Sequence, residues 1–199
     1  MLKDMAEVKN LTLIDEIIPR IESKTLSLVK DIALVLSFAI LTGISAKLKI
    51  EIGVVPITMQ TFAVLLSGAL LGKARGAASQ ITYLLMGLAG IPWFSRGGGI
   101  QYILSPTFGY IIGFVLAAYF IGWICERGFD RQLKTAILAM LFGNIILYIP
   151  GLFWLAKFVG LGKVLSIGFY PFVIGDLLKI FLAGSILPIG WKFIKRSKL

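Results

Sequence analysis

Two ionisable residues, Asp176 and Lys179, stand three positions apart in the segment GDLLKIF, inside a long apolar run near the C-terminus. On a helix this spacing puts both on one face, where carboxylate and ammonium can pair. Within a bilayer each costs about 2.5–3.5 kcal/mol on insertion scales, so each needs a reason to be there. Two reasons compete: an ion pair that ties helices together, and a polar site facing an internal cavity. Further polar groups accompany them, with Gln60 in VPITMQT and Asn144 in the middle of another apolar run. A loop reading PWFSRGGGIQYILSPTFGY adds Trp93, Phe94, Arg96, Gly98 within a glycine triplet, and Tyr102. One carboxylate, one ammonium, one guanidinium, two amides and several aromatics suit a small organic ligand with hydrogen-bonding groups, an apolar middle and an anionic end. Asn144 alone reads equally well as a helix–helix hydrogen bond. Gly97–Gly99 give either slack or close backbone approach to a ligand. They are not a phosphate loop, because the GK[ST] ending is missing.

The remaining chemistry is soon exhausted. The chain has no histidine and one cysteine, Cys125, which excludes a histidine-based triad and leaves no ligand set for zinc or haem. No metal and no catalytic residue is assigned.

The elements that must hold these groups are set by composition. Of 199 residues, 58% are apolar and 15% charged, with mean hydropathy +0.92. Soluble domains carry about 45–50% apolar and about 25% charged residues, so lipid is the expected solvent. A bilayer core about 30 Å thick needs about 20 mostly apolar residues per helix. Six spans are expected: Leu26–Ala46, Pro56–Leu71, Gly76–Phe94, Pro106–Cys125, Thr135–Ala156 and Pro171–Trp191. Ser105-Pro106 reads as a helix N-cap with proline at the first helical position. The chain divides into residues 1–25 and a single six-helix domain, 26–199. In the first part Leu11, Ile14, Ile18 and Ile21 recur at helical spacing with Asp15, Glu16 and Glu22 between them, broken near Pro19. That pattern predicts an amphipathic segment on the membrane surface, with a solvated tail as the alternative.

The chain carries 20 Lys and Arg against 10 Asp and Glu. With a cytoplasmic N-terminus only Lys47, Lys49, Arg96, Lys157 and Lys163 face outward, and Lys179 lies within a span. The basic excess therefore lies inside, placing both termini in the cytoplasm and leaving no charge to argue for nucleic acid. In this topology Gln60, Asp176 and Lys179 fall in the outer half of their spans. The inner half is apolar except for Gln80, Ser67 and small residues, which argues against an open channel. Gly68, Gly72 and Gly76 recur every fourth position, as do Gly109, Gly113 and Ala117, a pattern for close helix contact. In the first span Ala33 with Ser37, and Ala39 with Gly43, offer two candidate surfaces for a partner helix.

The segments VPITMQT, LLGKARG, YLLMGLAGIPWFSRGGGIQYILSPTFGYIIGF and GDLLKIF, in this order on six spans, resemble the BioY family, the biotin-binding S components of energy-coupling-factor vitamin importers. The resemblance covers about Leu34–Ile194. It implies an all-α integral membrane protein with the S-component fold, in a prokaryotic plasma membrane, working with a membrane T component and two cytoplasmic ATPases. Carried over by residue, Asn144, Asp176 and Lys179 are the implied biotin contacts, with Arg96, Gly98, Gln60 and Tyr102 from matching loops. No cofactor is implied, biotin being the transported ligand. The family's Ala-xxx-Ala docking motif reads here as Ala33-xxx-Ser37 or Ala39-xxx-Gly43. Biotin's chemistry fits: Asp176 can accept a ureido N–H, Asn144 can donate and accept, and Lys179 or Arg96 can meet the ureido oxygen or the carboxylate. Trp93, Phe94 and Tyr102 would cover the ring. The rival readings are an S component for another small vitamin, an intramembrane enzyme using Asp176 as acid or base, and a structural scaffold. Apart from Asp31 near the cytoplasmic start of the first span, no second carboxylate lies in a span, which weighs against the enzyme.

Overall fold

The computed structural model describes residues 11–18 and 21–197, with side chains as far as 194. In chain order its elements are α1 (Leu13–Ile17), α2 (Lys24–Lys47), β1 (Lys49–Ile50), β2 (Ile57–Thr58), α3 (Gln60–Leu88), α4 (Phe108–Cys125), α5 (Leu133–Val159), α6 (Val164–Gly168) and α7 (Val173–Ser197). Short 3₁₀ turns stand at Ile100–Leu104, Phe129–Arg131 and Tyr170–Phe172. Four segments, Lys24–Lys47, Phe108–Cys125, Leu133–Val159 and Val164–Ile194, are long and apolar enough to cross a membrane. The other two crossings are the arms of α3, residues 60–71 and 73–88, folded back at Gly72 with φ 82° and ψ 176°. Only glycine takes that conformation without strain. Six helices thus traverse the molecule, at nearly the expected boundaries. The second and third are the exceptions, since the first arm begins at Gln60 rather than Pro56 and the second arm ends at Leu88 rather than Phe94. Residues 49–58 instead form a small antiparallel hairpin, pairing Lys49 with Thr58 and Ile50 with Ile57. The fourth begins at Phe108, with Thr107 rather than Ser105 at the N-cap position.

The glycine stripes close the helices onto one another. A Cβ at Gly68 would lie 2.4 Å from the carbonyl oxygen of Ala118, and one at Gly76 2.8 Å from the Cα of Gly68. A Cβ at Gly113 would lie 2.3 Å from the carbonyl oxygen of Leu147. Backbones this near allow dispersion contacts that lipid cannot replace. Two buried clusters result. Leu65, Ile121, Met140, Ile180 and Leu187 fill one end of the bundle, and a ring of aromatics with Ile111 and Leu147 fills the other.

The two ends carry separate ionic networks. At one end Arg75 donates to both oxygens of Asp15 (2.8 and 2.6 Å) and to Asp31 (3.1 Å). Burial pushes the Asp15 carboxyl up, but hydrogen bonds from Arg75 and Thr12 outweigh it and hold the group below its ordinary value. Leu13 is buried, against the position where a Cβ of Gly190 would stand. Around Leu13 and Asp15 the N-terminal segment is docked on the bundle by a buried leucine and a guanidinium fork. Pro19, with Lys3, Lys9, Arg20 and Lys198, lies outside the described residues. At the opposite, outer end, Lys47, Lys49 and Arg96 gather about the loop that follows α3.

Candidate functional site

The outer ends of the helices enclose a cavity holding about 540 Å³ of space free of protein atoms, its open mouth included. Its wall combines Pro56 and Val55 from the hairpin, Tyr102 from the following loop, Tyr110 and Phe114 from α4, and Tyr148 from α5. Asp176 and Lys179, on the first turns of α7, lie in the same wall.

The buried pair is tightly knit. Lys179 Nζ lies 3.1 Å from Asp176 Oδ1, and also donates to the Thr58 carbonyl (2.8 Å) and to Thr61 Oγ1 (3.1 Å). All three ammonium protons are therefore used. Asp176 Oδ1 also accepts from the Thr61 hydroxyl at 3.3 Å, while Oδ2 accepts from Asn144 Nδ2 (3.2 Å) and the Tyr148 hydroxyl (2.5 Å). Four donors fill the four lone-pair directions of the carboxylate, which is how a dry charge is made tolerable. The Asn144 amide oxygen is left over: it is buried and has no hydrogen-bond partner among the described residues. Asn144 is not among the lining residues and stands behind Asp176, to which its amide nitrogen donates.

The sequence matches the BioY family over residues 17–196. This chain belongs to the BioY family. It is 40% identical over 151 residues to a probable biotin transporter BioY of Pyrococcus horikoshii, covering 75% of this chain and 89% of the relative. It is 39% identical over 153 residues to the biotin transporter BioY of Thermotoga maritima, covering 75% and 88%. Its fold matches a crystal structure of the S component for biotin from an energy-coupling-factor type ABC transporter, with TM-score 0.73 at 26% identity, over 86% of this chain and 95% of the other. The chain is accordingly a multi-pass membrane protein with the S-component fold.

In this BioY-family chain the sequence-derived site residues divide into two groups. Gln60, Tyr102, Asp176 and Lys179 line the cavity, and Asn144 is joined to it through Asp176. Gln60 is itself committed, donating to the Tyr83 hydroxyl (2.8 Å) and accepting from Thr58 (3.1 Å). Arg96 is not among the lining residues. It donates to Glu51 Oε2 (2.6 Å) and to the carbonyls of Gly53 (2.6 Å) and Val54 (2.9 Å), fastening the hairpin tip over the mouth. Hydrogen bonds from Arg96 and then Lys49 pull the Glu51 carboxyl down to about 2. Gly98 is also outside the lining: a Cβ there would stand 2.2 Å from the Ile91 carbonyl, so this glycine serves the folding of its own loop. The expected aromatic cover changes too. Phe94 is buried behind Tyr102, ring centroids 4.5 Å apart, and Trp93 stacks at 5.2 Å on Tyr83. Tyr102, Tyr110, Tyr148 and Phe172 take that place.

Tyr148, Thr61, Ser95 and Thr107 were not expected at the site. Tyr148 alone had a readable signal, lying four residues after Asn144 and hence one turn outward on the same helix face. On α2 the two small pairs part company. Ala33 and Ser37 are exposed, whereas Ala39 and Gly43 are buried, with a Cβ at Gly43 only 2.9 Å from the Trp93 ring. The face carrying Ala39 and Gly43 is occupied by this chain's own packing, so it offers no surface to a partner.

Proposed function

We propose that this chain is the biotin-binding S component of an energy-coupling-factor importer in a prokaryotic cell membrane, taking biotin from the outer side. The observation that carries the reading is the outer cavity whose wall holds the buried Asp176–Lys179 pair together with Thr61 and four aromatic side chains. A cyclic urea has an N–H on either side of a carbonyl. The polar Asp176–Lys179–Thr61 group in the cavity wall suits such a ring. Tyr102, Tyr110, Tyr148 and Phe172 suit the apolar thioether ring. BioY relatives of this length and identity support the same substrate. No Walker A sequence occurs in the chain, so ATP-driven uptake would require a T component and two ATPases from other chains. The exposed Ala33–Ser37 stripe on α2 is the surface we assign to the T component, since small residues let a partner helix approach closely. The decisive experiment is calorimetry together with tryptophan fluorescence on the purified chain and biotin, without partners or ATP. Saturable binding is expected; its absence from folded protein overturns the substrate.

A further inference from the structure

Two cations stood as candidates for the acidic end of the ligand, and both are committed elsewhere. Lys179 has spent its three protons on Thr58, Thr61 and Asp176. Arg96 grips Glu51 and two carbonyls of the hairpin. The cavity wall holds instead a run of hydroxyls from the loop after α3. Ser95 Oγ lies 3.0 Å from Tyr102 Oη, Tyr102 Oη 2.9 Å from Thr107 Oγ1, and Thr107 Oγ1 2.9 Å from Ser105 Oγ. Ser95, Tyr102 and Thr107 are each more than nine-tenths buried, and all three line the cavity. Four hydroxyls carry four protons, and the run's three internal bonds use three. Ser105 Oγ also accepts the Thr107 N–H at 3.3 Å. That bond favours Ser105 as the donating start of the run, with donation passing through Thr107 and Tyr102 to Ser95. The Ser95 hydroxyl then ends the run with a proton free to give to whatever lies in the cavity.

The charges behind this terminus are one-sided. Lys49 Nζ donates to the Ser95 carbonyl at 2.7 Å and Lys47 Nζ to the Phe94 carbonyl at 2.8 Å. Glu51 is the only acidic residue in the outer loops, and it is shared between Lys49 and Arg96. Two ammoniums and a guanidinium therefore face one carboxylate around residues 94–96. Such an excess favours an anion at a nearby neutral donor without a direct ion pair.

We infer that the ligand's carboxylate is received at the Ser95 end of the Ser95–Tyr102–Thr107–Ser105 hydroxyl run, in the field of Lys47 and Lys49, and not by Arg96 or Lys179. This rests on the biotin reading, and it makes the hydroxyl run the element that separates a free acid from its neutral derivatives. Calorimetry with biotin and biotin amide on the full chain in detergent tests it. Wild-type protein binds the acid more tightly than the amide. Ser95→Ala and Tyr102→Phe each weaken biotin about tenfold, while biotin amide moves by about twofold or less, as expected for loss of one hydrogen bond to a charged group. Lys49→Gln narrows the acid–amide preference, and added salt reduces the wild-type preference, because the contribution is a screened field. Arg96→Gln moves both affinities together. A preference that survives Ser95→Ala, or that vanishes in Arg96→Gln alone, overturns the inference; should Tyr102→Phe fail to fold, Ser95→Ala decides. Equal binding of acid and amide by the wild type also overturns it, yet leaves the biotin reading standing. Failure of folded wild type to bind either molecule overturns the biotin reading itself.

Discussion

Substituting the two halves of the buried pair should have unequal consequences, and the hydrogen bonds say which is worse. Lys179→Met keeps the volume of the side chain and removes its charge. Asp176 then retains donors from Tyr148, Asn144 and Thr61. Removing one partner of a buried pair costs about 3–5 kcal/mol, and with three donors remaining the loss falls at about 3. Asp176→Ala leaves the ammonium with a neutral carbonyl and a hydroxyl, and deprives Tyr148 and Asn144 of their acceptor. That loss falls at about 5 kcal/mol. The double substitution strands no charge, so it should cost no more than Asp176→Ala alone, giving a coupling of about 3 kcal/mol in the cycle. For a chain of this size each kcal/mol moves the melting temperature by about 2–4 °C, so the singles should differ by several degrees. Thermal unfolding of the four proteins in one detergent measures the cycle, and biotin titration of the same samples measures the site. All three variants should bind at least about tenfold more weakly. Additive melting shifts, or an unchanged affinity in Lys179→Met, would refute this account of the pair.

Three further outcomes follow from features away from the cavity. In the Phe129–Arg131 turn, burial pushes the Asp130 carboxyl up to about 6, against the smaller downward effect of the hydrogen bond it accepts from Trp191 Nε1 at 2.6 Å. A carboxyl raised on folding binds its proton more firmly in the native state. The Asp130 contribution to stability is therefore greatest below about pH 4 and declines as pH rises through about 6, by about 3 kcal/mol in all. Asp130→Asn keeps an acceptor for Trp191; it should raise the melting temperature near neutrality and flatten its dependence between about pH 4 and 7, a range set by the two pKa values. Parallel profiles would count against that assignment. Gly72→Ala forces a Cβ to within 2.7 Å of Glu126 Oε1 at a φ of +82°, and should destabilise by about 1–3 kcal/mol, read as a lower melting temperature with biotin affinity retained. Ala33→Trp and Ser37→Trp should leave melting and biotin binding intact while weakening co-purification with the T component, whereas Gly43→Trp, driven into Trp93, should lower the melting temperature.

Much of the fold was legible because lipid imposes strict rules on length and charge. The apolar runs gave six crossings, and Asp176 with Lys179 paired as their spacing required. The stripe through Gly68 and Gly76 marked real backbone contact. What stayed hidden depended on contacts between distant segments. Nothing local to Arg96 shows that its guanidinium is taken by residues 51–54, since that needs the hairpin folded over the mouth. Ala33–Ser37 and Ala39–Gly43 look alike as text. Yet six residues at about 100° per residue set them on different faces of α2, and only Trp93 decides which face turns inward. The hydroxyl run escaped notice for a similar reason. Ser95, Tyr102, Ser105 and Thr107 are ordinary loop residues until the 3₁₀ turn at 100–104 brings Ser95 against Tyr102.

The apolar plug beneath the cavity also has an electrical meaning. Leu65, Ile121, Met140, Ile180 and Leu187 form an apolar layer in the inner half of the bundle, beside which the described residues bury only the small Gln80–Thr42–Ser67–Ser79 polar cluster, so a membrane voltage should fall mainly across that layer rather than across the cavity above it. A unit charge moved through the whole of a 100 mV potential involves about 2.3 kcal/mol. An anion settling at Ser95 crosses little of that field, and the Asp176–Lys179 pair adds no net charge to it. Capture from the outside should then be almost indifferent to membrane polarisation, and nearly all the electrical work of importing an anion falls on the later passage past the plug.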